Sequence, residues 1–370
     1  MKTLIITLEY PPQIGGIASY TYNLAKHMPA DEVVVYAPKI PGGEEFDKKK
    51  PWKTIRAIPY FVFLWPRWIR LMWQVLDIVK KERIGRIYIH HTLPCGYVAY
   101  IVKKLKHIPY TVFFHGTDLL TGVKHKKNKI RKVCAEAERI VVNSKFLQHQ
   151  FEINFEDLAH KTTVMYPCPD AIFLEPAPAA ELKKLKSQLA LEGKKVIITV
   201  ARMSEGKGFP HLIRLLPKIL EKVPNLVWLI IGDGPKKNEI ITSIQKNYLQ
   251  NVTRFIGQVP YAQLPKFYQI ADLFVLLTHP DETMQEAWGT SFVEAAASGI
   301  PSVAGRSGGV EEAVENMVTG LVVDLYQDQS IVSAIADLLK ETEYAKKMGA
   351  AGKERVSKEF TWEKQLEKLM

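Results

Sequence analysis

The sequence predicts an α/β protein built from two doubly wound domains that face a central cleft. Short apolar runs alternate with longer amphipathic stretches along the whole chain, the pattern of parallel βα units. Both halves open alike, with an apolar strand, a glycine-bearing loop and a helix: "LIITLEYPPQIGGIASYTYNLAKHM" and "VIITVARMSEGKGFPHLIRLLPKIL". Between them Pro167, Pro169, Pro176 and Pro178 cluster in a linker, which places the boundary within 167–192. A length of 370 residues exceeds one ordinary core and suits two.

In chain order, "TLIITL", "EVVVYAP", "RIYIHH", "YTVFFHG" and "RIVVNS" read as the strands of the first domain, 1–170. "KVIITVAR", "LVWLIIGDG", "TRFIGQV", "LFVLLTH" and "PSVAG" read as those of the second, 171–354. The opening "MKTLIITLEYPP" has no hydrophobic core region and no small-residue cleavage site, so it reads as a first strand rather than a secretion signal. The longest apolar stretch, 58–76, is interrupted by Pro66, Arg67 and Arg70 and falls short of a membrane-spanning helix. Cys95, Cys134 and Cys168 are scattered, without ligand spacing, which favours a reducing, cytoplasmic compartment over a disulfide framework or a zinc site.

The net charge of +11 is unevenly spread. Up to Asp170 there are 26 Lys and Arg against 15 Asp and Glu; from Ala171 onward there are 24 of each. The first half therefore suits an anionic partner or surface, with an ordinary solvated face as the alternative.

In open α/β sheets ligands bind beyond the carboxyl ends of the strands, and the loops there carry the chemistry. Gly15 and Gly16 follow the first strand, where glycine admits a phosphate to the backbone or simply makes a tight turn. Arg202 and Lys207 lie in "VARMSEGKG", two cations among glycines, suited to a diphosphate or else plain loop cations. Gly232 ends a strand in "IGDGP", and His115 ends one in "TVFFHGTD", as a packing or a reacting residue. Glu286 and Glu294 flank a small-residue turn in "QEAWGTSFVEAAASG". Ser291 and Glu294 have capping-box spacing, with Gly299 and Pro301 as stop signals, so Glu294 has a structural reading that Glu286 lacks. The DxD diphosphate–metal motif, the GxxxxGK[ST] loop and HExxH are all absent, which fits metal-independent handling of a diphosphate.

In this order and spacing, "PPQIGG", "FFHGTD", "VVNSKF", "VARMSEGKG", "IGDGP" and Glu286-x7-Glu294 resemble glycosyltransferase family 4, over essentially the whole chain. The loop "THPDETMQEAWGTSFVEAAASGIPSVAGRSGG" is similar to that of the bacterial phosphatidylinositol mannosyltransferase group, although Trp288 and Thr290 depart from the common pattern. The resemblance implies a GT-B fold of two Rossmann-like domains, with a last helix, about 355–370, crossing back onto the first. It implies a retaining hexosyltransferase that uses a nucleotide-sugar donor, with no cofactor and no metal, mannose from GDP-mannose being favoured. Gly16 would meet the donor diphosphate from the first domain, and Arg202 and Lys207 would hold it from the second. Glu286 would bind hydroxyls of the sugar, the backbone of Gly289, Thr290, Ser291 and Phe292 would lie beside it, and Glu294 would accept from the ribose. His115 would stand near the reacting centre, and backbone around Gly257 and Val259 would face the base.

The acceptor side is read from 51–86, rich in aromatics and cations that include Trp65, Arg67, Trp68 and Arg70, and from the cations of 124–132, including Lys126 and Lys127. These suit a helix packed on the core by one face and meeting an anionic membrane by the other, hence a lipid or glycan acceptor and a peripheral position on the inner face of the cell membrane. The alternatives are a UDP-sugar transferase with a soluble acceptor, a sugar-nucleotide epimerase, an inactive sugar-nucleotide-binding module and a basic nucleic-acid binder. The last lacks a stacking platform among its basic residues, so no nucleic-acid partner is expected.

Overall fold

The computed structural model describes residues 1–279 and 285–369. Contacts divide the chain into two compact units, Met1–Pro167 with Trp362–Met370, and Cys168–Thr361. The chain thus leaves the first unit once and returns to it for its last residues.

Among the described residues, the first unit holds a seven-stranded sheet: β1 (Thr3–Ile6), β2 (Val33–Pro38), β3 (Lys53–Ala57), β4 (Arg86–Ile89), β5 (Tyr110–Phe114), β6 (Arg139–Val142) and β7 (Thr162–Val164). Its order is β3-β2-β1-β4-β5-β6-β7 with every pair parallel, and Ile6 sits in register between Tyr36 and Ile89. The second unit holds six strands: β8 (Lys195–Val200), β9 (Leu226–Ile231), β10 (Thr253–Gly257), β11 (Leu273–Leu276), β12 (Ser302–Gly305) and β13 (Gly320–Val323). They run β10-β9-β8-β11-β12-β13, again all parallel. Each unit is Rossmann-like.

Parallel sheets are covered on both faces, so their central strands are apolar throughout. β1, β5 and β9 are buried at every position. The strands that the sequence did not announce, β3, β7 and β13, are all at sheet edges. β3 carries Lys53 and Arg56 and β7 two threonines, and no residue of either strand is buried. The proline-rich linker contains a helix, Ala179–Gln188, with no buried residue.

The aromatic and basic stretch 51–86 is mostly not helix. It is β3, an irregular segment and then the helix Ile69–Glu82, whose Leu71, Val75, Ile78 and Val79 are buried. The returning segment is tied to the first unit by Trp362, stacked on His27 and edge-on to Tyr20, and by Gln365, which accepts from the Tyr166 N–H. No helix among the described residues is long and apolar enough to cross a membrane.

Candidate active site

In the second unit the loops after β8, β9 and β10 are stitched together by backbone bonds. Met203 N–H donates to the Asp233 carbonyl at 2.9 Å, Lys236 N–H to Met203 at 3.0 Å, and Gly232 N–H to Gly257 at 2.9 Å. The approach is so close that a Cβ on Gly232 would lie 1.9 Å from the Ala201 carbonyl oxygen. This packing fixes Arg202 and Lys207 at the carboxyl end of the sheet. Arg202 is exposed, and Lys207 Nζ forms an ion pair with Glu286 Oε2 in a largely buried position.

Glu286 is held from several directions. Its carbonyl accepts from the Gly309 N–H at 2.9 Å, and its N–H donates to Ser307 Oγ at 3.4 Å. Gly289, at φ +85°, then caps the helix Thr290–Ala297. A Cβ there would strike the Phe292 ring at 2.6 Å, which explains the glycine. The first-turn N–H groups of Thr290 and Ser291 thus open beside the Lys207–Glu286 pair, a positive dipole end next to a cation. The loop stretch 280–284 lies outside the described residues.

Glu294 does not close a capping box. The N-cap is Gly289 without a side-chain bond, Ser291 already belongs to the helix, and the Glu294 side chain turns inward. Its Oε2 accepts from Tyr268 Oη at 3.0 Å, and burial raises its pKa to about 7 while the hydrogen bonds from Tyr268 and Tyr261 lower it. Trp288 likewise turns inward, edge-on to Phe360 at 5.1 Å, so its departure from the family pattern concerns packing. Gly257, at φ +78°, would have open space around a Cβ, and Val259 is half-buried beyond it.

In the first unit, Gly15 is the N-cap of the helix Gly16–Lys26, with an extended φ of 172°. Neither Gly15 nor Gly16 adopts the left-handed conformation, and a Cβ on Gly16 would meet nothing within 4 Å. The tight-turn reading of this pair therefore fails, leaving bare backbone at a helix N-terminus.

His115 follows β5 and joins a cluster that the sequence did not reveal. Its Nε2 is 3.1 Å from Nδ1 of His90, the rings stack at 5.3 Å, and Tyr20 meets it edge-on at 5.0 Å. Burial, with His91 nearby, pushes the His115 pKa down to about 3, so the ring is neutral. Asp118 Oδ1 accepts from the N–H groups of His115, Gly116 and Leu119, each at 3.0 Å. Burial nonetheless raises its pKa to about 6. Asp118 Oδ2 and Asn143 Oδ1 are buried without a hydrogen-bond partner among the described residues. The doubled histidine of "RIYIHH" was the available signal for His90 and His91. The seven-residue spacing of Tyr261 and Tyr268 was the one for the phenols beside Glu294.

Of the acceptor-side residues, Trp65 and Arg67 are exposed, while Trp68 packs on Tyr97 at 5.8 Å and Arg70 lies 5.6 Å over the Phe61 ring. Lys126 and Lys127 are exposed in the helix Thr117–Glu136, which kinks at Lys126 with φ −138°.

Two Rossmann-like parallel-sheet units, with glycine-rich and charged loops at their strand ends, make up the GT-B fold of glycosyltransferases. Two family models match, Glycosyltransferase Family 4 over residues 14–171 and Glycosyl transferases group 1 over residues 182–355, and the chain belongs to glycosyltransferase family 4. It is 26% identical to the GDP-mannose-dependent alpha-(1-6)-phosphatidylinositol monomannoside mannosyltransferase of Mycolicibacterium smegmatis, over 97% of this chain and 94% of that one. It is also 26% identical to the corresponding monoacylated-substrate mannosyltransferase of Corynebacterium glutamicum, over 100% of this chain and 96% of that one. Among solved structures it is similar to Anabaena HepE in complex with UDP, with a TM-score of 0.84 at 20% identity, covering 100% of this chain and 98% of that one.

Proposed function

We propose that this glycosyltransferase is a retaining hexosyltransferase that moves mannose from GDP-mannose to a lipid, lipid-linked or glycan-precursor acceptor, working without a metal ion on the inner face of the cell membrane. The observation that carries the reading is the Lys207–Glu286 pair beside the Gly289-capped helix N-terminus. Such a junction offers positive charge to a departing diphosphate and a carboxylate to sugar hydroxyls in one place. In the reaction an acceptor hydroxyl attacks the anomeric carbon on the face that the diphosphate leaves. The carbon–oxygen bond to the diphosphate breaks, and the hydroxyl proton passes to the departing oxygen. Arg202, Lys207 and the first-turn N–H groups stabilise the leaving charge, with Gly16 backbone bearing on it from the first domain. Glu286 orients the sugar, Glu294 receives the ribose, and neutral His115 lies by the reacting centre. Charge stabilisation of this kind does the work of a metal ion.

The donor follows the names of the full-length mannosyltransferase relatives. The UDP complex of HepE favours a second reading, a UDP-sugar donor, and a thermal-shift panel of GDP, UDP and other nucleotides decides between them. Stabilisation by GDP alone, followed by EDTA-insensitive release of GDP from GDP-mannose, is the expected result. A response to UDP alone selects the second reading, and a response to neither overturns both. Lys207→Ala is expected to lower turnover by about a hundredfold or more with an unchanged circular dichroism spectrum. Normal turnover in that variant removes Lys207 from the mechanism.

A further inference from the structure

The chain passes from the second unit back to the first between Thr361 and Trp362. The aromatic residues on either side of Thr361 are both buried, and each packs, within its own unit, on a residue next to the proposed site. Phe360 meets Trp288 edge-on at 5.1 Å. It is backed by the Arg355 guanidinium 5.0 Å over its ring, and Arg355 is itself fixed by donating to the Glu312 carbonyl at 2.8 Å. Trp288 stands directly between Glu286 and Gly289 in sequence, so this contact braces the loop that carries the carboxylate and the helix cap. On the other side Trp362 lies edge-on to Tyr20 at 5.1 Å, and Tyr20 lies edge-on to His115 at 5.0 Å. His27 stacks on Trp362 with the ring centroids 5.9 Å apart.

We infer that Phe360 and Trp362 are positioning residues, Phe360 holding the Glu286–Gly289 loop through Trp288 and Trp362 holding His115 through Tyr20. The inference rests on the proposed roles of Glu286 and His115. Interlocked edge-on rings leave little room for drift, and displacing a site group by about 1 Å costs roughly a hundredfold in rate.

Two measurements on the full-length protein test this. In the first, histidine ring resonances are recorded by NMR. Trp362→Leu is expected to shift those of His115 and His90, and Trp362→Phe, which keeps the edge-on ring, to return them towards their wild-type positions. In the second, the Phe360→Leu variant is titrated with GDP and with GDP-mannose. Its affinity for GDP-mannose is expected to fall about tenfold and that for GDP by clearly less, since the sugar is held by Glu286 whereas the diphosphate is also held by Arg202 and Lys207. Phe360→Tyr is expected to restore it. The inference is overturned for Trp362 if the leucine variant, folded by circular dichroism, leaves both histidines unshifted, or if the phenylalanine variant shifts them as far. It is overturned for Phe360 if GDP and GDP-mannose weaken equally. A wild-type protein that binds neither ligand defeats the proposed GDP-mannose donor, and the NMR measurement alone then decides whether the ring contacts hold His115.

Discussion

Glu294 is a carboxyl group in a place that disfavours its charge. It is 6% exposed, lies inside a helix and faces two phenols rather than a cation. Burial raises its pKa from 4.5 to about 7, and the phenols of Tyr268 and Tyr261 are pushed up in turn, by burial first and then by the Glu294 charge. The consequence for stability has a definite sign. Below about pH 4.5 the carboxyl is neutral in both the folded and the unfolded chain, and the folded state keeps its full advantage. As the pH rises to about 7 the unfolded chain releases a proton that the folded chain retains, so stability falls. Beyond that both are ionised and the loss is complete, on the order of 3 kcal/mol at 1.36 kcal/mol per pH unit. Glu294→Gln cannot ionise and still accepts from Tyr268. Its melting temperature relative to the wild type is expected to climb between pH 5 and about 7.5 and level off above. A difference that stays flat across that range contradicts the buried-carboxyl account. The same variant should bind GDP more weakly if the carboxylate receives the ribose hydroxyls.

The loop from β8 to the helix Phe209–Lys222 depends on glycine at one position for two separate reasons. Gly208 has φ +71°, and a Cβ on it would lie 1.9 Å from the Leu277 carbonyl oxygen. Gly193 has nearly the same φ, +67°, but open space around it. Gly193→Ala is therefore expected to cost only the left-handed backbone term, about 1 kcal/mol. Gly208→Ala must also move backbone and should cost about 3 kcal/mol or more. At roughly 2–4 °C per kcal/mol, differential scanning calorimetry separates the two, and equal losses would rule out the steric account. The elements show the same division between what a sequence displays and what only a fold creates. β2, β5 and β9 announced themselves because both faces of a central parallel strand are covered, so nearly every residue is apolar. β3 and β7, at the edges, have no such requirement and did not announce themselves as strands. Ser291 and Glu294 had the right spacing for a cap, yet the close approach at Gly289 placed the helix start two residues earlier. Lys207 and Glu286 were each legible as candidates, but their pairing was not. They lie 79 positions apart and meet because β8 and β11 are neighbours in the sheet.

At the scale of the molecule, charge and exposed apolar surface both favour the first unit. The excess of 26 cations over 15 anions up to Asp170 accounts for the whole net charge. The irregular stretch between β3 and the helix Ile69–Glu82 leaves Phe63 99% and Trp65 83% exposed, with Val62 also largely in solvent, as is Trp73 within the helix. The helices Ile69–Glu82, Cys95–Lys106 and Thr117–Glu136 pack in sequence against the first sheet. That row carries the apolar stretch at one side and the exposed Lys126 and Lys127 at the other. Apolar side chains and cations contribute to membrane binding in different ways, which salt separates. Cation attraction to anionic lipid is worth about 1 kcal/mol per residue near the surface and fades as the screening length shrinks from ~30 Å at 0.01 M to ~3 Å at 1 M. Burial of a Phe or Trp ring does not fade. The wild-type protein is expected to sediment with phosphatidylglycerol vesicles at low salt and to stay partly bound at high salt. Changing Lys126 and Lys127 to Glu should abolish the salt-sensitive part, whereas changing Phe63 and Trp65 to Asp should abolish the salt-resistant part. A wild-type protein left in the supernatant at low salt would remove the membrane from the proposed function and leave the acceptor to be sought among soluble glycans.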